Sequence, residues 1–352
     1  MACRPTVHCL AVKLHLRQSL AVLAPPIILA IGCLAGCDSK PAAPSIILYS
    51  SVDEPIALQV VDAFTKKTGI QVQLKLDTEA GKTTGLVRRI RAEKDRPRAD
   101  VFWSSELFNT IKLAREGLLA EYRPPAADIP DRYRDPDGRW TAFASRARVL
   151  IFNTDRVKRE EIPASWREVA DDRWRGRLAV ANPQFGTTGG QFAAMYVLWG
   201  EPVYIHYLQK LKGILSGPML DGNATVARQV GSGNLAMGMT DTDDVYARQE
   251  RREPVDLTYP DLGDGGTLLI PNSVGLITGA PHGGDGKKLV DFLASEETER
   301  ILARSDSRNI PVRSKLRDEV GMRLPPETKV SFAEVADAME PAIRLASEHL
   351  AQ

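Results

Sequence analysis

Thr240-Asp241-Thr242-Asp243-Asp244 gathers three carboxylates and two hydroxyls in five consecutive residues. That is the donor set of a hard cation, which prefers oxygen to nitrogen or sulfur. Asp241 and Asp243 are therefore candidate metal ligands, although the same residues serve equally well as solvated acids or as the cap of a helix running from Val245. A second cluster, Gly186-Thr187-Thr188-Gly189-Gly190, falls between a strand pattern and a helix pattern. The free N–H groups of a first helical turn, with the hydroxyls of Thr187 and Thr188, form an anion site. Ordinary capping, with glycine serving the turn, is the other reading. Ser50-Ser51 and Ser104-Ser105 add paired hydroxyls after two apolar runs, suited to the same anion. Asp53 is either a hard ligand or the N-cap ahead of Pro55, and Glu106 is either a ligand or a solvated acid in a first helical turn. Arg146 and Arg148 alternate and so share one face of a strand, where either can pair with an acidic ligand, with Asp53, or in a structural salt bridge. Lys82-Thr83-Thr84-Gly85, before a helix, adds a further anion contact or simply stands in solvent, and Lys82 lacks the upstream glycine spacing of a phosphate-binding P-loop.

These residues need elements to hold them at strand ends. Ile46 to Tyr49 is a short apolar β run, and Ile56, Val60, Ala63 and Phe64 recur at helical spacing after Pro55. Gly69 ends that helix, and Ile70 to Leu76 alternates as a half-buried strand. Strand, helix and strand within about thirty residues make a βαβ unit and imply a parallel sheet. The pattern continues with a helix over 85–94, a strand over 99–103 and a helix over 108–116 closed by Gly117. Further strands are expected over 147–153, 177–181, 235–239, 267–270 and 273–277. Helices are expected from Trp166 to Ala170, after Gly190 and over 203–212, and the last ~65 residues read as mostly helical. The class is α/β, with polar clusters past strand ends, where open parallel sheets place ligands.

Catalysis finds little support. From Cys37 onward the histidines are His206, in an amphipathic helix, His282, in a Pro-His-Gly-Gly turn, and His349, near the C-terminus. No Gly-x-Ser-x-Gly elbow and no His-Glu-x-x-His pair occurs. A metal-dependent hydrolase, the distant alternative, would need a base or nucleophile beside its carboxylates. The chain is expected to be no enzyme and to carry no catalytic cofactor.

The N-terminus addresses the export question. Residues 1–18 carry Arg4, Lys13 and Arg17 and no acid, and residues 19–36 carry no charge. Basic, apolar and small-residue regions in that order describe an export signal. Leu34-Ala35-Gly36-Cys37 resembles the lipobox of bacterial lipoproteins, which implies that Cys37 is acylated and becomes the mature N-terminus, anchoring the chain by lipid on the periplasmic side of a bacterial membrane. Cys3, Cys9 and Cys33 lie upstream, so no disulfide holds the mature chain. Residues 38–45 form a short Pro/Ala linker. Without residues 1–36, 43 basic side chains face 45 acidic ones, which argues against nucleic acid as partner.

Leu48 to Glu54, Ala99 to Trp103, Arg146 to Thr154, Gly186-Thr187-Thr188, Asp221-Gly222-Asn223 and Thr240 to Asp244, taken in order, resemble the extracellular solute-binding proteins of bacterial ABC importers, in their ferric-ion-binding branch. The likeness runs from about Ile46 to Leu302. It implies a two-lobed periplasmic-binding-protein fold, each lobe a mostly parallel sheet flanked by helices, with 46–140 and 272–315 in one lobe and 141–271 with 316–352 in the other. It implies a ligand cleft between the lobes and delivery to an ABC permease and its ATPase by a monomer. By the same resemblance, the Thr187 loop holds a phosphate or carbonate, with Asn223 touching it. Asp53 matches a position often held by a metal-binding histidine, and Glu106 lies within one residue of a carboxylate ligand. The expected anion residues are then Ser50, Ser51, Ser104, Ser105, Gly186, Thr187, Thr188, Gly189 and Asn223, and the metal ligands Asp53, Glu106, Asp241 and Asp243. The ligand implied is Fe3+ with phosphate, carbonate or citrate. The adjacent tyrosines that relatives present near 240–244 are missing, and Tyr246 stands alone. Nearby branches of the same family carry phosphonates, sugar phosphates or thiamine, so an organic anion is the alternative cargo; a sensor role on the same fold is a further one.

Overall fold

Ile46 and Leu48 point to one side of the first strand and Tyr49 to the other, and this alternation seeds two separate hydrophobic clusters. The computed structural model describes residues 45–77, 82–184 and 186–351, with the Lys82 side chain excepted. The export signal, Cys37 and the linker lie outside the described residues. Strand β1 (Ser45–Ser50) leads into helix α1 (Glu54–Thr68), with Pro55 in its first turn and Gly69, at φ 74°, closing it by an N–H bond to the Thr65 carbonyl. Strand β2 (Gln71–Leu76) pairs parallel with β1, and helix α2 (Lys82–Ala92) returns the chain to β3 (Val101–Ser104), parallel to β1 on its other side. Helix α3 (Phe108–Arg115) follows and ends before Gly117, φ 73°.

β4 (Thr141–Asn153) is nearly twice as long as the strand expected over 147–153, because it serves two neighbours in turn. Its first half pairs antiparallel with β8 (Leu269–Leu276); its second half pairs with β6 (Met237–Asp241) and β7 (Val255–Thr258). Within the first half sits a bulge at Ala144, φ 43°. The fully buried Glu299 carboxylate accepts from the Ala144 N–H at 2.7 Å and from Val312 at 2.8 Å, and is neutralised by Arg313 at 2.9 Å. The strand order is β2-β1-β3-β8-β4-β6-β5, where β5 is Leu178–Ala179.

Three expectations are corrected. The two strands over 267–270 and 273–277 are one, since Pro271 sits opposite Ser145, whose N–H and C=O are both taken by Ile310. The missing proline N–H is therefore not needed there. β6 begins and ends two residues later than expected and carries Asp241 into the sheet, opposite Arg148. The helix expected from Trp166 is only a 3-10 turn over Glu168–Ala170.

The other helices are α4 (Gly186–Trp199), α5 (Glu201–Ile214), α6 (Asn223–Gly231), α7 (Thr242–Glu250), α8 (Gly283–Leu293), α9 (Glu296–Arg304), α10 (Ser314–Glu319) and α11 (Phe332–Leu350). α11 packs on α4 and α5 and reaches across to α3. Gly190 makes a close approach possible there: a Cβ on it would meet the buried Phe108 ring of α3 at 2.2 Å. Among the described residues, no helix is long and apolar enough to cross a membrane.

Candidate functional site

The C-terminal ends of β1 and β6 and the N-termini of α1, α4, α6 and α7 converge on a cleft of about 610 Å3. Its wall carries Asp53 and Glu54 from the start of α1, Asp77 after β2, Asp221 before α6, and Asp241, Asp243 and Asp244 around the start of α7. Among the described lining residues Arg146 is the one cation. Acids so placed make a negative potential that concentrates cations.

Asp53 stands at the N-cap position of α1, yet its side chain makes no capping hydrogen bond, so its exposed carboxylate remains available to the cleft. Ser51, beside it, is a hub: its Oγ accepts from the Ser105 N–H at 2.9 Å and from the Thr83 hydroxyl at 3.1 Å, with the Ser105 hydroxyl at 3.2 Å. Ser50 also lines the cleft, its Oγ accepting from the Val52 N–H. Gly186, Thr187, Thr188 and Asn223 line the cleft as well.

Three expected site residues are not in the cleft. Glu106 is 1% exposed and turns back onto the start of α3, where it accepts from the Phe108 N–H at 2.7 Å and the Asn109 side-chain amide at 2.9 Å. Burial pushes its carboxyl above the usual range, against these bonds. In this structure it caps the start of α3 and lies outside the cleft lining. Ser104 is buried with it, its Oγ accepting from the Glu106 N–H. Gly189 faces inward, where a Cβ would meet the Pro183 carbonyl at 2.5 Å and the Ile343 side chain at 3.1 Å; it lets α4 lie against α11. Tyr246 does not line the cleft either; its ring takes the Arg308 guanidinium at 5.2 Å.

Asp241, Asp243 and Asp244 each offer a carboxylate oxygen within 4.8 Å of the others. Their surroundings differ sharply. Asp241 is 2% exposed; it accepts from Arg148 Nη1 at 2.8 Å on one oxygen, and from Thr187 Oγ1 at 2.5 Å and Asn223 Nδ2 at 2.9 Å on the other. Arg148, fully buried, also bonds Gln191 at 2.8 Å. Asp243, in the first turn of α7, pairs with Arg146 at 3.6 Å, and its Oδ1 has no hydrogen-bond partner among the described residues. Burial pushes the Asp243 carboxyl up, Arg146 pulls it down, and Asp241 and Asp53 add to the upward push. Asp244 accepts from the Thr240 hydroxyl at 2.8 Å. Arg146 Nε and Asn309 Nδ2, both on cleft-lining residues, likewise lack partners among the described residues.

Residue types alone did not identify Asn309 and Ser307, which come from the segment after α9 with no motif around them, or Asp77. Asp77 carried a usable signal: a carboxylate placed just before a helix, where it accepts from the Leu86 N–H at 2.8 Å.

Residues 97–340 match the family model described as bacterial extracellular solute-binding protein. The chain is 28% identical over 295 residues to iron uptake protein A1 of Synechocystis sp., covering 78% of this chain and 80% of that one. It is 31% identical over 258 residues to a periplasmic protein of Salmonella paratyphi A provisionally named for binding 2-aminoethylphosphonate, covering 72% and 73%. The crystal structure of iron-bound HitA from Pseudomonas aeruginosa superposes with a TM-score of 0.75 at 26% identity, covering 87% of this chain and 99% of that one. The fold is thus the two-lobed one of periplasmic binding proteins, an open sheet with helices on both faces.

Proposed function

The chain belongs to the bacterial extracellular solute-binding proteins, and on that premise we propose that it is the lipid-anchored binding protein of an ABC importer, capturing ferric iron and handing it to the permease. As a solute-binding protein it is not an enzyme and uses no catalytic cofactor. The lobes are taken as 46–140 with 272–315 and 141–271 with 316–352. On this division, Asp53 and Ser51 belong to one lobe, and Asp243, Asp244 and Thr187 to the other. A ligand touching both walls favours the closed state, because the open state offers only part of the contacts.

The observation that carries the cargo reading is Asp243. Its carboxylate lines an acid-rich cleft with one oxygen unpartnered, and Asp244 and Asp53 stand on the same cleft. An uncompensated buried acceptor costs about 1–3 kcal/mol, which a hard cation would relieve. The relatives named for iron support the same reading, with carboxylates here replacing the phenolates of relatives. The Ser51 and Ser105 hydroxyls, which line the cleft, with the Thr83 hydroxyl donating to Ser51, favour a second reading in which an organic anion such as a phosphonate or sugar phosphate is the cargo. The lipid on Cys37 and the permease and ATPase partners follow from the lipobox and the family.

Thermal unfolding of the full-length chain separates the two cargoes. A ligand at about 100 times its Kd stabilises by about 2.7 kcal/mol, a shift of several degrees. Fe3+ supplied as citrate is expected to give that shift, and 2-aminoethylphosphonate without metal to give none. The reverse pattern would overturn iron in favour of the organic anion.

A further inference from the structure

Four side chains were candidates for gripping an external anion or for pairing across the cleft: Thr187, Thr188, Asn223 and Arg148. Each already bonds within the protein, with Arg148 Nη2 left without a hydrogen-bond partner among the described residues. Thr187 Oγ1 donates to Asp241 Oδ2 at 2.5 Å, Asn223 Nδ2 donates to the same oxygen at 2.9 Å, and Arg148 Nη1 donates to Oδ1 at 2.8 Å. The Thr188 hydroxyl donates to Asn223 Oδ1 at 2.9 Å, which turns the amide so that its NH2 faces Asp241. A carboxylate ringed by a hydroxyl, an amide and a guanidinium is bound as a free anion would be bound. This one is covalently part of the chain and is 2% exposed.

We propose that Asp241 is a built-in counter-anion: it occupies the pocket that the Thr187 loop and Asn223 form, so that capture of a cation at Asp243 requires no exogenous phosphate or carbonate in that pocket. The contacts stand independently of the cargo; only the consequence for cation capture rests on the ferric reading above. The backbone enforces the arrangement. Asp241 is the last residue of β6 and sits directly opposite Arg148 in the antiparallel register with β4, while Thr187 opens α4 and Asn223 opens α6. Two helix N-termini, each favouring negative charge, therefore flank a carboxylate delivered on a strand. Cation specificity then lies in Asp243 and its neighbours, and Asp241 sets the local charge without being spent as a ligand.

The test uses the full-length chain, with Fe3+ supplied as ferric nitrilotriacetate, and phosphate, carbonate and formate added separately. Wild type is expected to bind Fe3+ with the same affinity, within about twofold, whether or not these anions are present, and phosphate alone is expected to leave its thermal midpoint unchanged. Asp241→Ala opens the pocket. It is expected to lose affinity for Fe3+ by about tenfold or more, and to regain both affinity and thermal midpoint when formate is added. Asp241→Asn keeps the pocket filled and should show no response to formate. The proposal is overturned if wild type takes up Fe3+ only with added phosphate or carbonate, or if phosphate alone raises its midpoint. These wild-type arms decide the matter even where Asp241→Ala does not fold. A folded Asp241→Ala indifferent to every anion overturns it too. If Fe3+ binds under no condition while formate still stabilises Asp241→Ala, the occupied pocket stands and the ferric reading is what fails.

Discussion

Arg148–Asp241 and Arg146–Asp243 are the same pair of residue types, each shifted by two positions, on the same strand and the same strand-to-helix junction. Yet they behave as opposites. The first is sealed: 2.8 Å apart, with the Asp241 oxygens shared among Arg148, Thr187 and Asn223. The second is loose: 3.6 Å apart at the cleft wall, with Asp243 Oδ1 and Arg146 Nε lacking hydrogen-bond partners among the described residues. Arg146 and Arg148 lie on one face because strands repeat every two residues. Asp241 and Asp243 do not stay together, because the chain turns from β6 into α7 between them. One acid is thereby locked into the protein, and the other keeps an oxygen without a hydrogen-bond partner among the described residues. The lesson is that a carboxylate's role follows from what the backbone aims at it, not from the motif that contains it.

The contrast can be broken most forcefully at Arg148. Arg148→Ala leaves Asp241 as an uncompensated buried charge, and should cost about 3–5 kcal/mol in urea unfolding of the ligand-free chain. Arg146→Ala, two residues away, removes a longer pair, 3.6 Å apart on the cleft wall, and should cost clearly less in the same measurement. Equal losses would erase the distinction. Asp243→Asn should reverse the pattern, weakening Fe3+ binding by about tenfold or more in titration while leaving the ligand-free chain as stable as wild type, or more so by about 1 kcal/mol at neutral pH.

That gain should depend on pH in a defined sense. The folded state raises the Asp243 carboxyl, so its ionisation is easier in the unfolded chain. Its contribution to stability is fully present in acid and is lost as pH rises through the raised value. The midpoint difference between Asp243→Asn and wild type should therefore be smallest in acid and grow from the ordinary aspartate range upward. A difference that is flat with pH would place Asp243 in an environment like that of an exposed acid. Thr187→Ala, on the sealed side, should cost about 1.5–3 kcal/mol of stability, because its hydroxyl donates to the buried Asp241 carboxylate and accepts from Arg148 and Asn223. The smallest effect belongs to Tyr246→Phe, which should leave Fe3+ binding unchanged; a loss of binding or of a visible charge-transfer band would bring a phenolate back into the site.

Much of the fold was legible residue by residue. Apolar runs of strand length, proline at the start of α1 and glycine at its end, and hydroxyls or acids just past strand ends all acted locally, and local rules read them. That polar clusters at those ends would meet in one cleft followed from parallel-sheet geometry. Ser51, Ser105, Thr187, Asn223, Asp53 and Asp243 do line it together. Glu106 and Ser104 read as cleft residues because they directly precede or follow one, but a single residue of offset turned both into the core beneath α3. The strands over 267–270 and 273–277 read as two, whereas the contact that makes the missing N–H of Pro271 harmless between them, Ile310 bonding Ser145, comes from far away in the chain.

By itself, then, the chain's order of residues determined its elements, its α/β class and the ends of those elements at which binding chemistry would collect, since helix and strand periodicity and capping depend on near neighbours. Only the tertiary structure decided which acid is locked into the protein and which keeps an oxygen without a hydrogen-bond partner among the described residues. That choice rests on one cross-strand register, Arg148 opposite Asp241, between residues 93 positions apart. A register is set by the packing of whole sheet faces, and a shift of one residue would carry every side chain to the other face.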